Sequence, residues 1–598
     1  MKPDLQHSFR PMIRLWRHIS PRRRRQYGLL LVLMVATSIA EMIGIGAVLP
    51  FLGILTAPER VFHHPWAQPL IHFLGLTRAN ELLLPMTVLF GTAVLTAGAM
   101  RLLLLWTSTR LSFATGADLS VSIYRRTLYQ PYAVHIARNS SEVINGISSK
   151  INLVIQHAIM PVLTLISAVF MLVAILGVLL SVDPVIALAT LAGFGSIYAI
   201  VIRLSRKYLL ANSQRIASES TQVIKALQEG LGGIRDVLID GTQPIYCQIY
   251  RAADLPLRRA QGSNIFIAQS PRFAMEALGM LLIALLAYTL AQQADGIAKA
   301  VPMLGLLALA AQRLLPILQQ AYWAWSNIQG EKASLQDTLD LLDQPLPDHA
   351  DLPPAKPIAF DRDIEFKQLS FSYSPQLPLV LHQLDLTIGK GSRTGFIGKT
   401  GSGKSTLLDI VMGLLQPTEG VLKIDGQVIS EKNIRAWQVH IAHVPQAIFL
   451  TDGSIEANIA FGVPEAEIDR ERVRLAAQKA QISDIIESWP HQYRTMVGER
   501  GIRLSGGQRQ RIGIARALYK QADVIIFDEA TSALDNETEK SVMQAIESLG
   551  DDLTILIIAH RLTTLKNCTQ IVELGDGCIQ RIGTYQDIVD ESEFSTTD

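Results

Sequence analysis

The chain has 598 residues, which gives room for two or more domains. Hydrophobic residues make up 49% and charged residues only 18%, against about 25% charged in soluble domains, so a wholly soluble protein is not expected. The net charge of +1 gives no indication of a nucleic-acid partner. The cysteines lack the spacing of a metal site and are interpreted as buried or incidental thiols of a reducing compartment: Cys247, Cys568 and Cys578.

Residues 1–26 combine apolar side chains with basic ones. Phe9, Leu15 and Trp16 stand among arginines here, a pattern typical of an amphipathic helix that lies along the inner leaflet of a membrane. A disordered basic tail is the alternative interpretation. A signal peptide is not expected, because the apolar run that follows is too long and lacks a clean small-residue cleavage site.

Residues 27–340 contain six apolar runs, each near the length of about 20 residues that a spanning helix needs. The third and fourth runs carry no charge, and Asp183-Pro184 between them predicts a tight turn. Charged residues interrupt the other four runs. We therefore predict six transmembrane helices at 27–55, 82–110, 158–182, 184–202, 263–294 and 299–328.

Basic residues predict the orientation of these helices. Four arginines at 22–25 precede the first span, and Arg203, Arg206 and Lys207 follow the fourth, and such positive charge stays in the cytoplasm. The N-terminus is therefore predicted to be cytoplasmic, and six crossings return the chain to the same side. The connections 111–157 and 203–262 have helix-compatible patterns, so we expect the spanning helices to continue into the cytoplasm.

A proline-rich segment separates this apolar half from ordinary soluble sequence. Five prolines between residues 343 and 357 block continuation of a helix or a sheet, which predicts a linker over 341–357. Residues 358–598 are then predicted to form a separate nucleotide-binding domain.

A phosphate-binding loop follows a strand-like run at 393–397. Its glycines let backbone N–H groups face phosphates, and the N-terminus of the next helix adds positive potential. Lys404 is predicted to reach the β- and γ-phosphates, and the Ser405 hydroxyl to ligate Mg²⁺. The residues predicted to contact ATP in this loop are Gly398, Thr400, Gly401, Gly403, Lys404, Ser405 and Thr406.

Two acids end the apolar strand-like run at 524–527. Asp528 is predicted to hold Mg²⁺, directly or through water, and Glu529 to polarise the attacking water as general base. Two adjacent surface acids would be the plain alternative, which the four buried-type residues before them disfavour. The presence of Glu529 favours hydrolysis of ATP over binding alone.

The string Leu504-Ser-Gly-Gly-Gln508 resembles the signature of the ATP-binding cassette (ABC) superfamily, and the resemblance extends over residues 358–590. In that family the signature of one subunit closes on the ATP held by another, which implies a dimer with two ATP sites. The resemblance also implies an adenine-stacking aromatic, a Q-loop residue that senses Mg²⁺, signature contacts to ATP, a D-loop residue and a switch histidine at the γ-phosphate. These roles fall on Tyr373, Gln446, Ser505, Gly507, Gln508, Asp535 and His560.

One membrane domain followed by one cassette resembles a half-transporter of the bacterial exporter type. The implied fold is an α-helical membrane domain, with six transmembrane helices and long cytoplasmic extensions, fused to an α/β P-loop cassette domain. The family's short coupling helices would lie near 130–139 and 241–249. Because both catalytic elements stand in this one chain, a homodimer is the simplest assembly.

Three arginines inside the predicted spans bear on what is carried. An unpaired charge in hydrocarbon costs at least about 2.5 kcal/mol, so Arg101, Arg272 and Arg313 are expected to face a cavity, a partner or water. Guanidinium groups match phosphate oxygens, which favours an anionic head group such as pyrophosphate. Other interpretations stay open. Arg272 and Glu276 are i, i+4 neighbours that can pair, Glu41 can neutralise a second arginine, and the extensions can carry Arg272 out of the bilayer.

The segments around these arginines are similar to the bacterial lipid-linked oligosaccharide flippase of protein N-glycosylation, the PglK type, and to relatives in polysaccharide export. The similar segments are 41–51, 270–276 and 312–316. The resemblance implies a multi-pass protein of the bacterial cytoplasmic membrane whose arginines, at Arg101, Arg272 and Arg313, engage the pyrophosphate of the substrate. It also implies a short external helix within 57–81 that contacts a polyprenyl tail.

The sequence therefore predicts ATP-driven flipping of a lipid-linked oligosaccharide, or of a similar anionic glycolipid, with ATP and Mg²⁺ as cofactors. An exporter of peptides, drugs or other lipids is the alternative within transport. A nucleotide-gated channel or receptor is a different class, which the presence of Glu529 and His560 disfavours.

Overall fold

The structure is a computed structural model that describes residues 3–48, 51, 54–55, 59, 62–63, 68, 72, 75–182, 184–291, 296–353, 355–529, 536–547, 552–559 and 562–588. The chain divides into two compact units. The membrane unit comprises Met1–Gln130 and Ala137–Pro347, and the cassette unit comprises Pro131–Ile136 and Asp348–Asp598. The divide at residue 347 lies within the predicted linker, and the domain boundaries at 27, 341 and 358 stay predictions.

The described residues up to 342 are mainly helical. In chain order they are α1 (Pro3–His18), α2 (Pro21–Gly46), α3 (Leu83–Leu128), α4 (Tyr132–Ala137), α5 (Ser140–Asn145), α6 (Ile151–Val154), α7 (Met160–Val182), α8 (Pro184–Gly232), α9 (Ile234–Ile239), α10 (Gln243–Ala291), α11 (Gly296–Gly330) and α12 (Lys332–Leu342). Two π turns, Gly146–Lys150 and Ile155–Ile159, join α5, α6 and α7. Helices α8 and α10 have 49 residues each, about 70 Å at 1.5 Å per residue, so they extend well beyond a bilayer core of about 30 Å, as predicted.

Among the described residues, three helices are long and apolar enough to cross a membrane: Pro21–Gly44, Leu83–Leu128 and Ser140–Val178. The first of them begins at Pro21, so the arginines at 22–25 belong to the helix itself instead of preceding it. The fourth, fifth and sixth predicted spans fall on α8, α10 and α11, whose side chains are described only in part. The count of six spans stays a prediction.

The N-terminal helix α1 is packed against the rest of its unit. Leu15 is buried in an apolar cluster with residues of α2, α3 and α12. Arg14 Nη2 bonds Asp340 Oδ1 at 2.9 Å, and His18 Nε2 lies 2.6 Å from Asp343 Oδ1. Residues Pro3–His18 are therefore helical and a new helix starts at Pro21, while the predicted location of α1 along the membrane stays a prediction.

The two predicted coupling segments have different outcomes. The first, 130–139, contains α4, and residues Pro131–Ile136 belong to the cassette unit. The second, 241–249, is not a separate helix, since it consists of a turn and the start of α10. The short helix next to this segment is α9, which begins directly after the glycine pair at 232 and 233, where α8 ends.

The cassette unit contains two sheets. The strands are β1 (Asp363–Phe371), β2 (Leu381–Gly389), β3 (Arg393–Ile397), β4 (Glu419–Ile424), β5 (Gln427–Val428), β6 (Ile441–Val444), β7 (Val524–Asp528), β8 (Thr554–Ile558), β9 (Gln570–Gly575) and β10 (Cys578–Gly583). The first sheet is antiparallel in the order β2-β1-β4-β5, and the second has the order β10-β9-β3-β8-β7-β6. The helices of this unit that follow β3 are α13 (Lys404–Val411), α14 (Ile434–Gln438), α15 (Ile455–Ile459), α16 (Arg470–Lys479), α17 (Ser483–Glu487), α18 (Gly506–Lys520) and α19 (Asn536–Glu547).

The second sheet determines where the functional loops meet. Strands β3 and β7 both pair with β8, and all three are parallel. Their carboxyl ends therefore lie at one edge of the sheet, which is where open α/β sheets bind ligands. Strand β7 is buried on both faces up to Phe527, as its unbroken apolar run indicates. The phosphate loop after β3 and the two acids at the end of β7 share this edge.

Candidate functional site

The loop between β3 and α13 has the backbone shape that the glycine pattern predicts. Gly401 and Gly403 have positive φ angles of +86° and +96°, and Gly403 is the residue before the first turn of α13. At Gly398, with φ +141°, a Cβ atom would lie 2.1 Å from the Leu574 carbonyl oxygen, so a side chain cannot fit. The predicted phosphate contacts Thr400 and Gly401 are exposed at the tip of this loop.

Lys404 lies beneath the same loop. Its Nζ donates to the carbonyl oxygens of Gly398 at 2.8 Å and of Lys399 at 2.9 Å. Burial lowers the pKa of this lysine, and the carboxylates of Glu529 and Asp528 oppose that shift. The Lys404 ammonium group therefore interacts electrostatically with the carboxylates of Asp528 and Glu529.

The aromatic residue predicted at adenine lies next to the helix that follows the loop. The Tyr373 hydroxyl and Thr406 Oγ1 are 3.1 Å apart, and Phe371 packs edge-on against the Tyr373 ring with a centroid distance of 5.0 Å. The tyrosine is 47% exposed, so one ring face is accessible to a planar base.

The acids after β7 are the residues predicted to act in catalysis and metal binding. Burial, followed by the charge of Glu529, raises the pKa of Asp528, and Lys404 opposes that shift. Gln446 Nε2 donates to Glu529 Oε2 at 2.6 Å. Glu529 has a φ of +49°, a left-handed conformation that costs a non-glycine residue about 1–3 kcal/mol and that clusters at active sites. The structure thus brings Gln446, Asp528, Glu529 and Lys404 together.

The donor set suits Mg²⁺. The ion keeps several waters and takes one or two carboxylates together with substrate phosphate oxygens. A hydroxyl from Ser405, a carboxylate from Asp528 and an amide oxygen from Gln446 fit that chemistry, and Ser405 is exposed at the first turn of α13. The described part of the chain holds no cluster of three histidine, cysteine or acidic residues that would suit a tightly held transition metal.

The signature residues start helix α18. Ser505 is the N-cap: its hydroxyl accepts from the Gln508 backbone N–H at 3.2 Å, and Gln508 Oε1 accepts from the Ser505 N–H at 2.9 Å. This reciprocal pair is a capping box, so Ser505 and Gln508 of the signature also stabilise the N-terminus of α18. Gly507 lies in the first turn, where a small residue leaves the backbone N–H groups approachable.

Some predicted site residues lie outside the described residues. Asp535 and His560 are among them. The backbone of Arg313 lies in α11, but its side chain is not described. Their assigned roles stay predictions.

Asp409 is a further acid near the predicted ATP site and was not among the predicted site residues. Burial raises the pKa of Asp409 to about 6, and the charge of Asp528 adds to the shift. The sequence signal was an acid inside the apolar run of α13, at 407–411. An acid of this kind, half-buried beside Asp528, makes the site more negative in the absence of cations.

In the membrane unit, Arg272 lines a cavity of about 890 Å³ between α10 and α11. Arg272 Nε donates to Glu276 Oε1 at 2.9 Å, the i, i+4 pair anticipated from the sequence. We call this space the Arg272 cavity; its lining residues are Phe194, Ala268, Gln269, Arg272, Phe273, Glu276, Gly279, Met280, Gln312, Leu315, Pro316, Gln319, Gln320 and Trp323.

Arg101 lines a second cavity of about 440 Å³, the Arg101 cavity, and forms an ion pair through Nε with the buried carboxylate of Glu41. Three residues of α11 line both cavities: Gln312, Pro316 and Gln320. Arg101 and Arg272 are therefore both paired with a glutamate, and both are also cavity residues. The pairing interpretation and the cavity interpretation hold together for these two arginines.

Comparisons with known proteins agree with this architecture. The model of the ABC transporter transmembrane region matches residues 27–312, and the ABC transporter model matches residues 381–532. The ATP-dependent lipid A-core flippase of Ralstonia nicotianae is 30% identical over 487 residues, which are 79% of this chain and 80% of the relative. The protein of that name from Alkalilimnicola ehrlichii is 28% identical over 480 residues, which are 79% of this chain and 80% of the relative.

The fold also matches a solved structure of a bacterial Atm1-family ABC exporter with ATP bound. The TM-score is 0.77 at 23% identity, and the match covers 96% of each chain. The predicted fold class, a helical membrane domain fused to a P-loop cassette, is confirmed. The chain therefore belongs to the ABC transporters, as a multi-pass membrane exporter with an ATP-hydrolysing cassette domain.

Proposed function

We propose that this exporter flips a polyprenyl-pyrophosphate-linked oligosaccharide, or a similar anionic glycolipid, outward across the bacterial cytoplasmic membrane. In this proposal the N-terminus and the cassette are cytoplasmic, and two copies of the chain form the transporter. ATP closes the cassettes, the membrane cavity opens outward, and the lipid tail stays in the bilayer while the head group crosses.

The observation that carries the proposal is the geometry of the two cavity arginines. Arg101 forms an ion pair with Glu41 through Nε, Arg272 donates a hydrogen bond to Glu276 through Nε, and both arginine side chains are more than half exposed. Nε is the inner nitrogen, so the terminal nitrogens, which form the two-pronged end that matches phosphate oxygens, have no hydrogen bond among the described residues. Each glutamate neutralises the charge of its arginine before the substrate arrives.

The relatives give independent support for a glycolipid. The proteins from Ralstonia nicotianae and Alkalilimnicola ehrlichii are named ATP-dependent lipid A-core flippases. Lipid A-core is a glycolipid, which is the class of cargo proposed for this chain. The step from that class to a pyrophosphate-linked oligosaccharide rests on the arginine positions.

The motor chemistry follows from the cassette residues. Lys404 binds the terminal phosphates, and Glu529 takes a proton from the attacking water while Gln446 holds its carboxylate in place. Ser405 and Asp528 would hold Mg²⁺, which would supply positive charge to the phosphates when bound. His560 contacts the γ-phosphate in this assignment, and Asp535, the D-loop residue, contributes to the ATP site.

A homodimer supplies what one chain lacks. The signature at Ser505, Gly507 and Gln508 begins its own helix and is proposed to close on the ATP of a second copy. Only 6% of the apolar stretch of α3 is buried within this chain, so this helix is available to contact a second copy or lipid in the membrane. Each copy then completes one ATP site of the other.

A second candidate is an exporter of drugs or peptides. Aromatic and apolar side chains also line the Arg272 cavity, and Phe273 and Met280 there are largely exposed. In this alternative the arginines are neutralised structural pairs and the cavity binds an apolar cargo. Stimulation of the ATPase by hydrophobic drugs, but not by lipid pyrophosphates, would support it.

The test is ATP-dependent translocation of a fluorescent polyprenyl-pyrophosphate sugar in proteoliposomes. The triple variant Arg101→Ala, Arg272→Ala, Arg313→Ala is expected to transport at a rate lower by roughly 10- to 100-fold, the loss of one or two charge-assisted hydrogen bonds. Arg258→Ala is the matched control, because Arg258 forms the same kind of i, i+4 pair on α10, with Asp254, outside both cavities. A triple variant that transports at the wild-type rate would exclude the arginine role.

A further inference from the structure

We infer that the Arg272 cavity contains a carbohydrate subsite that holds the sugar unit next to the phosphate of the substrate. The subsite consists of four side chains: Gln269, Gln319, Gln320 and Trp323. The inference rests on the proposed glycolipid function and specifies which residues read the sugar part of the head group.

Helical spacing places these side chains on two facing surfaces. On α10, Gln269, Arg272 and Glu276 recur at i, i+3 and i+7, which is one face of a helix. On α11, Gln312, Gln319, Gln320 and Trp323 recur at i, i+7, i+8 and i+11, again one face. The cavity between these faces therefore has primary amides on both walls, and the arginine of one wall lies on the same face as Gln269.

Gln319 gives the second observation. Its Nε2 is buried and has no hydrogen-bond partner in the part of the chain that the structure describes. A buried donor without a partner costs about 1–3 kcal/mol, so an amide held in this way is poised for an acceptor that enters the cavity. Gln319 lines the cavity, so a rotation of its side chain would present this amide nitrogen to a ligand oxygen there.

The chemistry of the cluster matches a sugar better than a phosphate or an apolar drug. A primary amide both donates and accepts, as neighbouring sugar hydroxyls do, whereas an ionised phosphate only accepts. Trp323 is 38% exposed at the cavity and offers an apolar ring face to the C–H surface of a pyranose. An apolar cargo would leave several amides without partners.

The cavity has room for both parts of such a head group. Its volume of about 890 Å³ lies near the upper end of small-molecule pockets, which run from about 300 to 1,000 Å³. Arg272 and the amides line the same space, so a phosphate and the sugar bonded to it can be held at once. A site built to bond hydroxyl groups discriminates strongly against an analogue that lacks them.

The experiment measures binding of three lipids to the full-length transporter in nanodiscs. The probes are farnesyl pyrophosphate, farnesyl pyrophosphate linked to N-acetylglucosamine, and a glucosamine-disaccharide glycolipid without pyrophosphate. The wild type is expected to bind the sugar-bearing pyrophosphate about tenfold more tightly than farnesyl pyrophosphate. The double variant Gln319→Leu, Gln320→Leu is expected to lose that preference, with its affinity for farnesyl pyrophosphate unchanged. Gln261→Leu is the control, since Gln261 lies on α10 outside the cavity lining.

The outcomes separate the subsite from the proposed function. Equal wild-type binding of both pyrophosphates, or a preference that survives in the double variant, overturns the subsite. If neither pyrophosphate binds, the pyrophosphate part of the proposed function fails, and the subsite is then tested with the glycolipid that lacks pyrophosphate. Weaker binding of this glycolipid by the double variant than by the wild type supports the sugar subsite. Unchanged binding, or no binding by the wild type, overturns it.

Discussion

Glu276 should compete with an anionic head group for Arg272, so its removal is expected to tighten binding. Arg272 Nε and Glu276 Oε1 are 2.9 Å apart on adjacent turns of α10, and both line the Arg272 cavity. The change Glu276→Gln keeps the shape and the possibility of a hydrogen bond but removes a negative charge beside the predicted phosphate position. An arginine that served only to neutralise this glutamate would show no such gain.

The magnitude follows from exposure and charge. The pair is solvent-exposed, at 62% for Arg272 and 45% for Glu276, so its loss is expected to cost only about 0.3–0.5 kcal/mol of folding stability. Repulsion between Glu276 and one phosphate charge at about 6 Å is about 0.7 kcal/mol in water and about 3 kcal/mol at an effective dielectric constant of about 20. Removing that repulsion predicts roughly threefold to hundredfold tighter binding.

The assay is the concentration of polyprenyl pyrophosphate that half-stimulates ATP hydrolysis, measured in nanodiscs for the wild type and the variants. Glu276→Gln should lower this concentration and Arg272→Ala should raise it, with thermal midpoints close to that of the wild type. Asp254→Asn is the control, because it breaks the i, i+4 pair with Arg258 on the same helix, where Nε and Oδ1 are 3.1 Å apart. An unchanged or raised half-stimulating concentration for Glu276→Gln would refute the reasoning.

Three further predictions concern the motor and the folded state. Glu529→Gln is expected to lower ATP hydrolysis at least about 100-fold, as the loss of a general base does, with nucleotide binding retained in an equilibrium assay. Gly398→Ala should destabilise the phosphate loop by roughly 2–4 kcal/mol and weaken binding of a fluorescent ATP analogue, because the new Cβ would lie 2.1 Å from the Leu574 carbonyl oxygen at a φ of +141°. Burial raises the pKa of Glu331 from 4.5 to about 7, so this acid favours the folded state when protonated, and stability should fall by up to about 3 kcal/mol as the pH rises between these two values. Thermal midpoints against pH should show that slope in the wild type and a reduced slope in Glu331→Gln.

Each of these has an outcome that contradicts it. Hydrolysis by Glu529→Gln at near the wild-type rate would remove the base assignment. Gly401→Ala is the control for the loop, since φ is +86° there but the space is open, and it should cost only about 1–2 kcal/mol; equal losses in both variants would rule out the steric argument. An equal pH slope in Glu331→Gln would assign the titration to another group.

The linear sequence determined the motor and the class of the fold. A phosphate-binding loop needs glycines at fixed positions before a lysine, and the two acids of such a site follow a buried strand. Both features consist of consecutive residues and can therefore be predicted from the sequence. The roles of Lys404, Asp528 and Glu529 are predictions made in this way. Apolar runs of about 20 residues likewise indicated a membrane domain before any packing was known.

Tertiary structure decided what distant residues do to one another. Arg101 and Glu41 are 60 positions apart in the chain and lie on different helices, α3 and α2. No local sequence pattern shows whether either charge is paired. The amides of α10 and α11 line one cavity only because the two helices pack against each other. The short helix α9 follows the glycine pair at which α8 ends. Motifs made of neighbouring residues can be read along the chain, but a site whose parts come from different helices exists only after their packing has brought those parts within contact.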